Sequence, residues 1–208
     1  MPGAETLNDR LLTTKGRETR RRIVEAASDL MVERGVAAVS LDEVGRVTST
    51  SKSQIYHYFT SKDELVTAVV LCVRDRILAF QGSLLATVES VDDLQGWADS
   101  IVAFQRQAPR WSGCPLGTLA SELIGEAGGG RLDIHEAFDL WQLLLEDALR
   151  RLRDSGRLRA DADPERLATA TLASLQGGLL MSKAHQDESA LSVALDAALE
   201  HLRTFASV

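Results

Sequence analysis

The sequence predicts an all-α chain with a small N-terminal helix-turn-helix head and a larger helical body. Ala, Leu, Glu and Arg dominate, with apolar residues recurring at spacings of three and four, while aromatic residues make up only 5% and strand signals are scarce. Breaks rich in Gly, Pro, Ser and Thr cut the chain into helix-length pieces. Charge is unevenly divided: residues 10–62 hold ten Lys or Arg against six Asp or Glu, and residues 63–208 hold thirteen against twenty-two. A basic segment on an acidic remainder fits a phosphate-binding head joined to a body kept off nucleic acid.

The first helix is expected over Lys15–Arg34, with Ile23, Ala26, Ala27, Leu30 and Met31 on one stripe and Gly35 as a left-handed cap. Ser40 and Glu43 form a capping-box pattern that opens the second helix, whose Leu41, Val44 and Val47 are expected to point inward. Thr48-Ser49-Thr50-Ser51 halts it, because hydroxyl side chains compete for backbone hydrogen bonds. A third, short helix follows over Lys52–Phe59. The fourth begins near Lys62, with Ser61 and Glu64 as another capping pair, and runs toward Phe80. Beyond Gly82, helices are expected over 92–107, 115–125, 132–155, 163–185 and 188–204. They are separated by Pro109, the Gly128-Gly129-Gly130 run, Gly156 and Pro164, and Asp163-Pro164 supplies an N-cap with proline at the first helical position.

Two short helices joined by a tight polar turn, behind a longer basic helix, describe a helix-turn-helix whose second short helix enters the major groove. At about 100° per residue, Ile55 and Phe59 share one side, with Ser51 and Tyr58 at its edge. Ser53 and His57 project opposite, flanked by Gln54 and Tyr56. Gln amides pair with adenine, Ser and His reach bases or phosphates, and a Tyr ring packs on a thymine methyl or donates to a phosphate. No acidic residue lies between Ser49 and Ser61 to repel phosphate. For Lys15, Arg17, Arg20, Arg21 and Arg22, a solvated basic face and phosphate contact are even readings, and position favours contact for Lys15 and Arg17.

This segment closely resembles the TetR family of bacterial repressors. The resemblance is carried by Thr19–Ala27 with Gly35, by Leu41-Asp42-Glu43-Val44, and above all by Ser51-Lys52-Ser53-Gln54-Ile55-Tyr56-His57-Tyr58-Phe59 followed by Ser61-Lys62-Asp63-Glu64-Leu65. It implies that Lys52, Ser53, Tyr56 and His57 lie at or near base edges, and that Ser40, Gln54, Tyr58 and Lys62 hold phosphates. Thr48-Ser49-Thr50 stands where the family usually has an Ala-Gly-Val-type turn, and Gln54 where Thr is frequent. Ser49 is therefore expected to take a positive φ without being glycine.

The resemblance divides the chain into a flexible N-terminus (1–14), a DNA-binding domain (15–77) and an effector-binding and dimerisation domain (78–208). The run from Gly113 to Leu123 looks like a segment near the effector pocket in one subgroup of the family. Trp97, Phe104, Trp111, Leu119, Phe138 and Trp141 are the candidates to line that pocket, since drug-sized ligands sit in mostly apolar, aromatic cavities. The helix over 163–185 is apolar or small nearly all round, and Gly177 and Gly178 within it call for close approach by another backbone. With 132–155 it is expected to build a four-helix bundle across a two-fold axis of a homodimer.

The expected partners are double-stranded operator DNA, a small hydrophobic effector and a second copy of the chain, with no membrane and no cofactor. The expected function is a repressor released from a palindromic operator by its ligand. The alternatives are a DNA-bound activator or architectural regulator without an effector, or a helical enzyme or interaction module. Histidines at 57, 135, 185 and 201 show no nucleophile-base or metal spacing, and His135 with Asp139 lacks further ligands, so neither catalysis nor metal binding is expected. Cys72 and Cys114 are too few for a disulfide framework and fit a reducing cytoplasm. Cys114, before Pro115 at a helix start, is read as a buried small residue in preference to a redox sensor.

Overall fold

A computed structural model describes residues 12–107, 112–124 and 130–207, and all structural statements concern these. They form helices α1 (Thr14–Arg34), α2 (Leu41–Val47), α3 (Lys52–Tyr58), α4 (Lys62–Leu85), α5 (Asp93–Gln107), α6 (Pro115–Leu123), α7 (Gly130–Asp154), α8 (Pro164–His185) and α9 (Ser189–Arg203). Among the described residues there is no strand, only an isolated bridge between Leu158 and Ala206. The all-α expectation is met, with most helix ends within two residues of their expected places. The exception is α4, which passes through Gly82 to Leu85, because one glycine weakens a helix by about 1 kcal/mol without breaking it. No helix is long and apolar enough to cross a membrane. The expected flexible start, the Pro109 break and Trp111 lie largely or wholly outside the described residues.

The chain divides into two compact units. One contains residues 1–76 and 115–137, the other 77–114 and 138–208. In the first, α1 buries Ile23, Val24, Ala27, Leu30 and Met31. Thr13 caps α1 by accepting the Gly16 N–H at 3.2 Å. α6 docks on the same unit with Leu116, Leu119, Ala120 and Leu123 buried. Its Glu122 carboxylate accepts the N–H groups of Val36 at 2.8 Å and Ala37 at 3.3 Å, in the loop after α1. Gly35 has φ +89° but ψ 153°, so the chain leaves α1 extended instead of in the expected left-handed cap. The positive φ requires glycine, and a Cβ there would stand 2.9 Å from the Glu122 carboxylate and displace it.

The second unit is built around the antiparallel pair α8 and α9. Leu167, Ala168, Leu172, Leu175 and Leu179 of α8 are buried, as are Leu191, Leu195 and Leu199 of α9. Asp163 caps α8 as expected, accepting the Arg166 N–H at 3.2 Å, with Pro164 at its first position. The close backbone approach expected at the glycines is met inside the chain at one of them. A Cβ on Gly178 would lie 2.9 Å from the Leu191 Cα, whereas Gly177 faces open space. α9 also ties to α5 through Arg203, which donates to Asp92 at 3.3 Å and Gln95 at 3.1 Å.

Candidate nucleic-acid interface

Helices of seven residues do not stand alone in water, so α2 and α3 depend on caps and on the anchors they bury. Ser40 Oγ accepts the Glu43 N–H at 3.2 Å, but the Glu43 carboxylate turns to Arg34 Nη1 at 2.8 Å. The expected capping box is therefore one-sided. α2 buries Leu41, Val44 and Gly45, and Val47, expected to point inward, is 61% exposed. It lies roughly 110° from the centre of the stripe that Thr48 completes.

In the turn, Thr48 Oγ1 donates to Val44 O at 2.8 Å and lies within hydrogen-bond distance of Thr50 Oγ1 at 2.9 Å, and the Thr50 N–H donates to Gly45 O at 2.8 Å. Ser49 has φ +52°, the positive value expected where a glycine is usual. Gly45 was not singled out by sequence, yet a Cβ there would be 3.0 Å from Thr50 O and 3.3 Å from Ile55 Cγ1. It sets how closely α3 can lie against α2.

α3 has the full capping box that α2 lacks. Ser51 Oγ accepts the Gln54 N–H at 3.3 Å, and Gln54 Oε1 accepts the Ser51 N–H at 3.2 Å. Ser51 and Gln54 at i and i+3 carry this signal in the sequence. Gln54 thus spends its carbonyl on its own helix and keeps only its NH₂ group to offer a phosphate or base. Ile55 and Phe59 are fully buried, contributing about 1.5–3 kcal/mol each, and the Arg20 guanidinium lies 5.0 Å over the Phe59 ring.

Lys52, Ser53, Gln54, Tyr56 and His57 are all exposed on α3, with Tyr58 half-buried and its ring 5.2 Å from His57, edge to face. The separation into anchors and exposed polar face follows the expected helical phase. One acidic group that the local sequence hides joins this surface from α2. Lys52 Nζ lies 3.2 Å from Asp42 Oδ2 and 5.8 Å from the Tyr56 ring centre. The hydrogen bond to Asp42, then its charge, raises the Lys52 pKa, so this lysine stays cationic at any physiological pH. Leu41, Asp42, Gly45, Arg46, Ser49–Lys52 and Ile55 line an open groove of about 560 Å³ between the two helices.

Ser40 is exposed at the start of α2, and Lys62 at the start of α4 donates to Ala37 O at 3.2 Å. The Val36–Ala37 segment is thus held by Glu122 on its N–H groups and by Lys62 on a carbonyl. Glu122 was missed because its partners lie 86 and 85 residues away. The second capping pair is offset: Ser61 Oγ accepts the Glu64 N–H at 3.2 Å, while the Glu64 carboxylate accepts from the N–H and hydroxyl of Thr60. On α1, Arg21 is bracketed by Glu18 at 2.6 Å and Glu25 at 3.0 Å, and Arg17 donates to Leu12 O at 2.7 Å. Arg21 is thereby committed to the helix's own surface.

Of the residues expected to line an effector pocket, Trp97, Phe104, Phe138 and Trp141 belong to the second unit and Leu119 to the first. Trp97 is buried in the second unit with its indole N–H donating to Gln81 Oε1. Phe138 and Trp141 stack, ring centres 6.3 Å apart and planes 10° apart. Phe104 is 55% exposed and packs on Phe80, ring centres 5.5 Å apart. Leu119 is buried in the first unit, and Trp111 lies outside the described residues. Cys114 is buried, and burial raises the pKa of the half-buried Cys72 thiol. Among the described residues no group of three His, Cys, Asp or Glu is placed to hold a metal ion.

A capped helix-turn-helix with an exposed cationic and polar second helix defines a DNA-binding regulator. The pattern of the bacterial regulatory proteins of the tetR family matches residues 23–69, and that of the tetracyclin repressor-like C-terminal domain matches 90–198. The chain is 30% identical to an HTH-type transcriptional regulator in the lacX 3' region of Lactococcus lactis, over 86% of this chain and 91% of that protein. It is 24% identical to the HTH-type transcriptional repressor DhaR of a Mycobacterium species, over 88% and 91%. A TetR-family regulator from Cytophaga hutchinsonii superposes with a TM-score of 0.84 at 18% identity, over 95% of this chain and 99% of that one. The chain belongs to the TetR family and is a transcriptional regulator.

Proposed function

We propose that this regulator is a homodimeric repressor that holds a palindromic operator with paired α3 helices and leaves it when a small, largely apolar molecule occupies the body. The observation that carries the DNA reading is the exposed face of α3, fixed in phase by Ile55 and Phe59. On it Lys52, Ser53, Tyr56 and His57 meet base edges, while Ser40, Gln54, Tyr58 and Lys62 hold phosphates. Repression is supported by the likeness to DhaR, a protein named as a repressor.

For the dimer, α8 presents an unbroken exposed stripe of Ala170, Ala173, Gly177, Leu180 and Ala184, beside Met181. Leu180 is 68% exposed, Met181 53%, and Val193 on the adjoining face of α9 67%. Small residues flanked by large apolar ones let a second copy of the same face pack closely. The sequence paired α8 with α7; among the described residues α7 adds Leu143 as a large exposed apolar side chain, and Leu180, Met181 and Val193 favour α8 with α9. Footprinting on the DNA upstream of the protein's own gene tests the whole reading. It should show two protected half-sites related by a dyad and spaced by whole helical turns. Salt-insensitive or absent protection would refute it.

A further inference from the structure

Buried hydrogen-bonding groups are nearly always paired, and an orphan calls for an explanation. Among the described residues three buried side-chain atoms have no partner: Gln105 Oε1 on α5, Trp141 Nε1 on α7 and Gln176 Nε2 on α8. All belong to the second unit. The residues Gln105 and Trp141 are themselves 5% and 3% exposed. The second unit does pair an indole where the fold requires it, since Trp97 donates to Gln81. Trp141 is left with a stacked Phe138 and nothing for its N–H.

The orientation of the Gln105 amide is decided by its neighbour. Its Nε2 donates to Gly113 O at 3.0 Å, so the group turned away is an acceptor. Gly113 in turn abuts α8: a Cβ there would lie 3.4 Å from Lys183 Cβ and 3.5 Å from Leu179 O. Gln176, Leu179 and Lys183 follow one face of α8 at i, i+3 and i+7. An orphan acceptor and an orphan donor thus stand on adjoining surfaces of α5 and α8. α4 links α5 to α7: Phe80 packs on Phe104, next to Gln105, and a Cβ added at Gly82 would lie 3.8 Å from Leu144, one turn beyond Trp141.

We infer that these three atoms are the polar contacts of the effector, and that the effector is an uncharged, mostly apolar molecule with a carbonyl-type acceptor and an adjacent hydroxyl or amide donor. The inference rests on the body being the effector-binding unit. Trp141 and Gln176 donate to the acceptor, Gln105 accepts from the donor, and the Phe138–Trp141 pair covers an aromatic or alicyclic ring. Among the described residues, the buried polar side chains of this unit, Gln81, Gln105, Thr171 and Ser182, are all neutral, so they offer a desolvated ion no counter-charge. Lys183 lies half-buried on the same face of α8, and the test separates an uncharged ligand from a carboxylate.

The test uses the full-length dimer with benzamide, toluene and benzoate, matched in ring and differing in polar group. Binding is read by thermal shift and by the indole ¹H–¹⁵N resonance of Trp141, assigned through Trp141→Phe. Benzamide should raise the Tm and move that resonance downfield, toluene should raise the Tm without moving it, and benzoate should do neither. Gln105→Met should weaken benzamide roughly tenfold while leaving toluene unchanged, and Trp141→Phe, which keeps an aromatic ring but loses the N–H, should weaken benzamide more than it weakens toluene. Benzoate binding more tightly than benzamide, or either variant binding benzamide as well as the parent, overturns the assignment while leaving the body a ligand site. Failure of all three probes to shift the Tm counts against the effector-binding body itself.

Discussion

α2 and α3 in the first unit and α8 and α9 in the second are both pairs of packed helices, held by different means. The short pair is secured by hydroxyls: Ser40 and Ser51 cap, Thr48 and Thr50 bond each other across the turn, and two side chains, Ile55 and Phe59, anchor α3. The long pair relies on a continuous apolar seam and on one missing side chain, at Gly178 against Leu191. Local polar chemistry positions an exposed surface, while shape holds together a unit that buries most of its apolar side chains.

Removing an anchor should break the contrast most. Phe59→Ala is expected to cost about 3–5 kcal/mol by opening a cavity under α3 and removing the ring beneath Arg20. Chemical denaturation should then show the head melting ahead of the body, whereas one unchanged cooperative transition would mean that α3 owes its position to something else. Leu180→Glu places a charge on the exposed α8 stripe. It should leave helical content intact but yield monomers in light scattering, with operator affinity falling by at least a hundredfold, in line with the several kcal/mol that an unpaired buried charge costs. A stable dimer would remove α8 from the interface.

The glycine pair sharpens the comparison. Gly178→Ala should destabilise by about 1–3 kcal/mol because the obstructing atom is backbone, whereas Gly177→Ala, facing open space, should leave the isolated chain's stability unchanged or slightly raised. Equal Tm values for the two variants would contradict the α8–α9 approach. In the head, Lys52→Ala should weaken operator binding about tenfold, since it removes a base-edge donor and leaves Asp42 unpaired beside it. A gel shift with unchanged affinity would place Lys52 outside the contact. The smallest effect is Ser49→Gly, expected to stabilise by about 0.5–1 kcal/mol through relief of the positive φ, visible as a small rise in Tm with operator binding retained.

How much could be read beforehand follows the same division. The four head helices, the inward Ile55 and Phe59, the exposed α3 face and the positive φ at Ser49 were all legible, because periodicity and turn chemistry act within a few residues. Val47 failed because one short helix offers too few residues to fix its phase. Glu43 and Gln54 were harder, since either could cap or face outward. Glu43 was taken by Arg34, nine residues back, while Gln54 stayed on its own helix. In the body, helix existence was legible but partners were not. Nothing near Phe104 signals its exposure, and nothing near Gly178 names Leu191 as its neighbour.

By itself the sequence determined that the chain is helical, where its helices start and stop, and that one short helix presents an exposed polar face. These depend on side-chain spacing and on caps that bond their own backbone. The tertiary structure alone decided that Asp42 would meet Lys52, that α6 would send Glu122 to the loop after α1, and that α9 would fill the space at Gly178. It also decided that Trp97 would find a hydrogen-bond partner and Trp141 would not. Such pairings depend on which surfaces remain to be buried once every helix has formed, and that quantity belongs to the whole chain.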